Sequence, residues 1–279
     1  MEKKIAYTTS RLNKNLERIL ENDGKRRKDA ERSLNSALLS LQYSSSRFSD
    51  YRILSAEFLQ QASHVQMIDH NHSKAKEYLF LSAICQKFAC LYYTPGIPKT
   101  DGPWEVDLHQ LEKFEAAVIA DANDLALELG ELLLNIEGSV IHPFQVDRGN
   151  ALFGLFSENT ERVKIAIQSL KNGNYPRFNS RGNGSALRLG QAFEEILNRN
   201  TQGFNQYLIE QLHKERRGYS ASSFLNLELL ALSKLAVKYG LTIELDTIEC
   251  PKELIIPETI DYSLIAIPTP KEGFPWSKI

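Results

Sequence analysis

The stretch that most strongly determines the fold is YLFLSAICQKFACLYY, residues 78–93. Read at the helical period, it is apolar on most sides, which is typical of a helix at the centre of a core. The sequence TPGIP, residues 94–98, follows it and combines two prolines with a glycine, a strong helix-ending pattern. We therefore predict a central, buried helix from about Ser73 to Tyr93.

Amphipathic patterns extend outward from this helix in both directions. On its N-terminal side, residues 25–43 place a single apolar stripe at Ala30, Leu34, Ala37, Leu38 and Leu41. On its C-terminal side, residues 107–138 form one kinked helix or two short ones. Further helices are predicted around residues 148–157, 159–172, 185–199, 203–217 and 223–239. Gly240 stands where a helix-ending glycine is expected.

The pattern changes after Gly240. LTIELDTIE, residues 241–249, alternates as a strand does, and SLIAIP, residues 263–268, is a second candidate strand. Prolines then recur through the tail, which predicts an extended segment. The expected fold is all-α, an irregular bundle of about ten helices with an extended, Pro-rich C-terminal segment. We expect one helical domain over residues 1–279, leave open a subdivision near 95–105, and expect 241–279 to pack on the body.

The sequence shows no pattern typical of a membrane-spanning or secreted protein. No apolar run reaches the roughly 18 residues of a transmembrane helix, and no apolar stretch follows the lysines at the N-terminus. We therefore expect a cytoplasmic protein. The three cysteines, Cys85, Cys90 and Cys250, match no zinc-binding spacing, so we expect buried or semi-buried free thiols and no metal requirement for folding.

A glycine- and arginine-containing stretch is the strongest candidate for catalysis. RFNSRGNGSALRLG, residues 177–190, places two glycines before a predicted helix, flanked by Arg177, Arg181 and Arg188. A phosphate-binding loop would also need a preceding strand and a Lys-Ser/Thr ending, and both are missing. An ordinary loop with a Ser185 cap is favoured. An enzyme that uses these arginines on a phosphorylated substrate stays as an alternative.

Metal and nucleic-acid sites receive little support from the residues. His70 and His72 lie in DHNHS beside Asp69, a pattern favoured as a surface turn. His109 and Glu112 share a helix face but lack the paired motifs of a di-iron bundle. The basic residues are scattered and do not form a broad face with exposed aromatics. We assign no catalytic, cofactor-binding or metal-binding residue, no cofactor and no nucleic-acid partner.

The clearest physical feature is a concentration of acidic residues. Between Glu105 and Glu137 there are nine carboxylates and one lysine, Lys113. On a helical projection, four of them cluster beside an arc of leucines that must be buried: Asp121, Asp124, Glu128 and Glu131. We expect these four to project outward together, with no base in the stripe to neutralise them. They are the candidate partner-binding residues, and the competing interpretation is an ordinary solvated face.

Residues 203–255 combine a Phe-Asn helix running to His-Lys, an Ala/Leu-rich helix ending in glycine, a short extended piece, and a proline with leucine nearby. This pattern resembles the immunity protein 49 family of bacterial polymorphic toxin systems, and the resemblance extends over residues 70–255. The matching positions are Phe204, Asn205, Leu208, Leu212, His213, Lys214, Leu229, Leu235, Ala236, Gly240, Pro251 and Leu254. Residues 74–96 also resemble the family's alanine-rich helix, and Trp104 with the helix after it resembles its continuation.

The resemblance implies an all-helical protein that neutralises a cognate toxin by binding it, without catalytic residues. The expected function is therefore that of an immunity protein, not an enzyme, with the toxin as its protein partner and no membrane partner. A helical interaction scaffold of other function and the arginine-dependent enzyme remain as alternatives. The oligomeric state is left open.

Overall fold

Helices make up almost all of the regular structure. The computed structural model describes residues 23–43, 46–92, 111–135, 142–176, 178–215 and 225–274. Within these ranges eleven α-helices occur and no strand. They are α1 (Asp23–Tyr43), α2 (Arg47–Asp69), α3 (His72–Leu91), α4 (Glu112–Ile119), α5 (Asn123–Asn135), α6 (Pro143–Phe156), α7 (Thr160–Asn172), α8 (Ser180–Leu197), α9 (Thr201–Glu215), α10 (Leu227–Lys238) and the short α11 (Lys252–Ile255). The predicted all-α bundle is confirmed.

Helix α3 lies at the centre of the bundle, as its composition predicts. Thirteen of its 20 residues are buried, too many for a helix with one solvated side. It packs extensively against α2 and also contacts α4 and α5. Helix α4 is buried over most of its surface, and it packs against both α3 and α10. The predicted 107–138 helix is therefore two helices, α4 and α5.

Asparagine side chains cap the N-termini of several of these helices. The carbonyl oxygens of Asn71, Asn159, Asn179 and Asn226 accept hydrogen bonds from backbone N–H groups in the first turns of α3, α7, α8 and α10. This contact satisfies one of the N–H groups that a helix end leaves without a partner. Gly240 has a φ of 89° just beyond α10, the left-handed conformation that favours glycine.

The apolar stripes of the two helices expected over 203–240 predict that these helices form a buried pair and face each other. The stripes are buried, but the two helices do not face each other. Phe204 and Leu208 of α9, and Leu229 and Leu232 of α10, have no exposed surface. However, α9 packs against α8, whereas α10 packs against α4. Periodicity identified the buried stripes correctly, but it carries no information about which helix covers which stripe.

The prediction of strands after Gly240 is wrong. Leu241 and Ile243 are buried and Thr242 and Glu244 are exposed, so the alternation is real. No second strand lies alongside in the described part of the chain. Instead the side-chain amide of Asn205 donates to the carbonyl of Thr242 (2.8 Å) and accepts from the N–H of Glu244 (2.9 Å). One side chain thus takes the place of a neighbouring strand.

The three cysteines are all buried and free, as predicted. Burial raises the pKa of Cys90 to about 11 and that of Cys85 further. Both thiols therefore stay protonated, and unreactive, near neutral pH. In the ranges given above, no helix is long and apolar enough to cross a bilayer.

Candidate partner-binding groove

Three of the four candidate carboxylates lie on the solvent side of α5. Asp124, Glu128 and Glu131 are exposed, while Leu125 and Leu129 on the opposite side are buried. The separation of acidic and apolar faces predicted for this helix is therefore present.

Asp121 does not belong to this exposed stripe. It lies in the turn between α4 and α5, with a φ of 61°, and only 10% of its side chain is exposed. Its carboxylate forms ion pairs with Lys76 of α3 (2.9 Å) and Lys234 of α10 (2.7 Å). The expectation that all four carboxylates project outward, with no base to neutralise them, is wrong at Asp121. The absence of a base is also wrong at Glu128, which forms an ion pair with Lys87 of α3. These bases come from helices far away in the sequence, so the local pattern contains no sign of them.

The Asp121 carboxylate is the centre of a buried ionic network. Lys76, which has no exposed surface, also contacts the carboxylate of Glu258 (3.0 Å) and donates to the carbonyl of Ile256 (2.9 Å). The Glu258 N–H donates to Asp121 (3.1 Å). Two lysines and two carboxylates balance in charge, which buried ions require. The network ties the C-terminal segment to the helical core.

Lys234 of α10 is the second lysine of the network. Its ammonium donates to the carbonyl oxygens of Ile119 (2.9 Å) and Leu254 (3.3 Å). Burial lowers the pKa of Lys234 to about 8, and the Asp121 carboxylate opposes that change. Removing the carboxylate would leave this cation buried with neutral oxygens alone.

Next to the network, an open groove of about 510 Å³ lies between α3, the beginning of α5 and residues 260–262. Its apolar lining is supplied by Phe80, Ile84, Leu125, Ile260 and Tyr262. The rings of Phe80 and Tyr262 stack with centroids 4.1 Å apart. The Tyr262 hydroxyl donates to the carbonyl of Ala120. That bond holds one wall of the groove against the turn that carries Asp121.

The rim of the groove is acidic. Asp124 and Glu128 lie one helical turn apart on α5, and both line the groove. Lys87 of α3 lines it too, and its ammonium forms an ion pair with Glu128. The side chain of Lys87 is 15% exposed, whereas that of Glu128 is 55% exposed. Asp121 also lines the groove, but the two lysines of the ionic network already pair with it. Asp124, Glu128 and Lys87 therefore leave the rim with a net negative charge. Glu131 lies outside this lining.

The arginine-containing stretch has a different structure from the one predicted. Helix α8 begins at Ser180 and is capped by Asn179, so Gly182 lies inside its first turn. Ser185 does not cap the helix, because its hydroxyl donates backwards to the carbonyl of Arg181. Arg181 is exposed and Arg188 is half-buried, two turns apart on α8. Arg177 lies outside the described residues.

Of the two histidine candidates, His70 lies in the turn between α2 and α3, as predicted, whereas His72 is the first residue of α3. His70 has a φ of 49° at the end of α2, and Asn71 caps α3 directly afterwards. Among the described residues, no group of three or more His, Cys, Asp or Glu side chains is arranged to hold a metal ion. His109 lies outside the described residues.

A second buried ionic cluster was not identified from the sequence. Glu115 of α4 is 1% exposed and forms an ion pair with Arg148 of α6, which also contacts Glu228 of α10 (3.2 Å). Burial raises the pKa of Glu115 to about 7, although Arg148 opposes the rise. In the sequence, Glu115 is one of the nine carboxylates between Glu105 and Glu137, without any assignment to a buried site. The only signal of its burial was the apolar run Ala116–Ala117–Val118–Ile119 that follows it.

The apolar positions on which the family resemblance rests have a structural role. They are all buried: Phe204, Leu208, Leu212, Leu229, Leu235, Ala236 and Leu254. In comparisons with known proteins, no family model matches the chain, and no curated protein or solved structure is significantly similar to it. The resemblance to the immunity protein 49 family stays a prediction.

Proposed function

We propose that this protein is a cytoplasmic immunity protein that binds a cognate toxin and neutralises it by protein–protein contact. The observation that carries the proposal is the groove beside α5, with its apolar floor and acidic rim. Protein interfaces combine an apolar core with a polar edge in this way. The sequence resemblance to toxin-neutralising proteins supports the same function independently.

The charge of the surface indicates the kind of toxin. Asp124, Glu128 and Glu131 face solvent on one side of α5, and like charges at this spacing disfavour the free helix slightly. A partner with basic residues relieves that repulsion when it docks. Complementary charge mainly accelerates association and orients the two proteins. We therefore propose a toxin whose contacting surface is basic.

The test is direct binding to the polypeptide encoded beside this chain's own gene. The two proteins are purified separately, with the toxin carried as an inactivated variant, and their binding is measured by calorimetry. Co-expression of active toxin with this protein then reports protection through cell growth. We expect a defined stoichiometry and restored growth. If the neighbouring polypeptide neither binds nor is neutralised, the immunity function is wrong.

A further inference from the structure

We propose that the groove binds a lysine or arginine side chain of the partner, and that Lys87 occupies part of this cation position in the free protein. This inference rests on the proposed function for the identity of the partner, but its chemistry can be tested without the toxin. It concerns the groove defined by Phe80, Ile84, Leu125, Ile260 and Tyr262, with Asp124 and Glu128 at its rim.

The apolar floor of the groove can pack against the methylene groups of a long basic side chain. Phe80 and Tyr262 form a stacked aromatic pair, and Ile84, Leu125 and Ile260 supply aliphatic surface around it. Lysine and arginine bury their methylene groups on such surfaces while the charged end stays near solvent. A purely apolar side chain would match the floor but would leave the net negative charge of the rim unbalanced.

The rim determines the sign of the charge that is accepted. Asp124 and Glu128 are one turn apart on the same helix face, so both carboxylates can approach one cation. The first turn of α5 also lies here, and helix N-termini attract anions. The two rim carboxylates oppose an anion at this position, and Asp124 already occupies the first turn. The groove therefore favours a cation.

Lys87 shows that a cation is accommodated at this rim. Its ammonium reaches Glu128 from α3, across the groove from α5. Glu128 is more than half exposed, whereas Lys87 is mostly covered. A partner's cation can therefore approach Glu128 from the solvent side and share this carboxylate with Lys87. Asp124 is the second carboxylate that such a cation meets.

The experiment uses a short peptide as the probe, so that the identity of the toxin does not enter. Acetyl-Leu-Arg-Leu-amide is titrated into the full chain and followed by NMR, beside the same peptide with citrulline in place of arginine. Citrulline keeps the shape of arginine but carries no charge. We expect the arginine peptide to bind about three- to fivefold more tightly, with shifts centred on Phe80, Ile84 and Tyr262.

Three variants test which residues cause the preference for the arginine peptide over the citrulline peptide. The double variant Asp124→Asn/Glu128→Gln should bind both peptides equally, and Lys87→Met should bind the arginine peptide more tightly than the wild type. Glu161→Gln, which removes an exposed carboxylate from α7, is the matched control and should keep the wild-type preference. The thermal midpoint of each variant establishes that it is folded.

Several results would overturn the inference. They are equal binding of the two peptides to the wild type, a preference that survives in the double variant, or shifts that depend on protein concentration and so indicate a second copy in the groove. An unchanged affinity in Lys87→Met would remove the role of Lys87. If the toxin binds but the peptide results are negative, the immunity function stands and this inference is wrong. If the peptide results are positive but the toxin neither binds nor is neutralised, only the immunity function is wrong.

Discussion

Lys76 and Lys234 are buried on helices whose other residues are mostly apolar. Both reach the same oxygen of Asp121, which the left-handed turn after α4 directs into the core. A buried charge is tolerated only with a partner of opposite charge and further hydrogen bonds. The backbone carbonyl oxygens around the two ammonium groups supply those bonds. Asp121 therefore stabilises the contact between α3, α10 and the C-terminal segment, and its charge is already paired within the protein.

Replacing Asp121 with Asn should destabilise the protein strongly. The substitution keeps the size of the side chain but leaves two buried lysines with one carboxylate, at a cost of about 3 to 5 kcal/mol. Urea denaturation measures the loss, and Asp124→Asn, which changes an exposed carboxylate on the same stretch, should cost less than about 0.5 kcal/mol. Equal stabilities for the two variants would contradict the assigned role of Asp121.

Glu115 makes stability depend on pH. Its pKa of about 7 in the folded protein lies above the value of about 4.3 in an unfolded chain. Between these values the folded state holds a proton that the unfolded state has released. The free energy of unfolding therefore falls as pH rises from about 4.3 to 7. Arg148, Glu228 and Glu112 are the charged groups that act on this carboxyl.

Glu115→Gln should flatten that dependence, because the variant has no carboxyl to titrate. Denaturation midpoints between pH 5 and 8 provide the measurement, and Glu161→Gln, which removes an exposed carboxylate from α7, is the control that keeps the wild-type slope. Parallel slopes for the wild type and Glu115→Gln would assign the pH dependence to another group.

At the scale of helices, α10 shows how periodicity and burial agree. Nine of its twelve residues are buried, including Leu227, Leu229, Leu230 and Leu232, and it lies against α4 and α11. A helix with so little exposed surface is held by packing on several sides. Its contribution to stability is therefore expected to come from side-chain volume.

Leu229→Ala should cost about 2 to 5 kcal/mol, the range for truncating a fully buried leucine. Leu229 has no exposed surface, so the substitution leaves a cavity in addition to the lost apolar contact. Chemical denaturation measures the change, with Leu264→Ala, at an 84% exposed position, as the control. A loss below about 1 kcal/mol would show that the surrounding helices collapse around the smaller side chain.

At the scale of the whole molecule, the net charge of −2 hides an uneven distribution. Carboxylates concentrate on α5, and bases outnumber acids two to one over residues 161–217. An uneven charge distribution creates an electrostatic field around the protein. This field orients a charged partner before the two proteins touch. Association kinetics are thus a more sensitive measure of the acidic surface than affinity.

The variant Asp124→Asn/Glu128→Gln/Glu131→Gln should associate with the toxin about tenfold more slowly at low ionic strength. Its rate should also vary less with salt, because the screened attraction has been removed. Asp121 is kept, so the fold is undisturbed. Stopped-flow rates at several salt concentrations test this. The same rate and salt slope for both proteins would show that the acidic surface is only solvated.

Much of the fold was predictable from the sequence, because helix periodicity is a local property. The apolar run at 78–93 identified the central helix, and the stripes at 203–240 identified buried faces. The alternation after Gly240 also predicted the buried side of that segment. It did not predict strand pairing, since a strand needs a partner, and here the Asn205 side chain replaces one.

The groove and the ionic networks were decided by the tertiary structure alone. A carboxylate in a helical projection looks the same whether it faces water or a buried lysine. Asp121 meets Lys76 from 45 positions earlier in the chain, and Lys234 and Glu258 reach it from later segments. The sequence by itself determined which residues form helices and which helix faces are apolar, because those patterns repeat within a few residues. Which charges are neutralised, and which stay available to a partner, depends on distant segments meeting in the folded core.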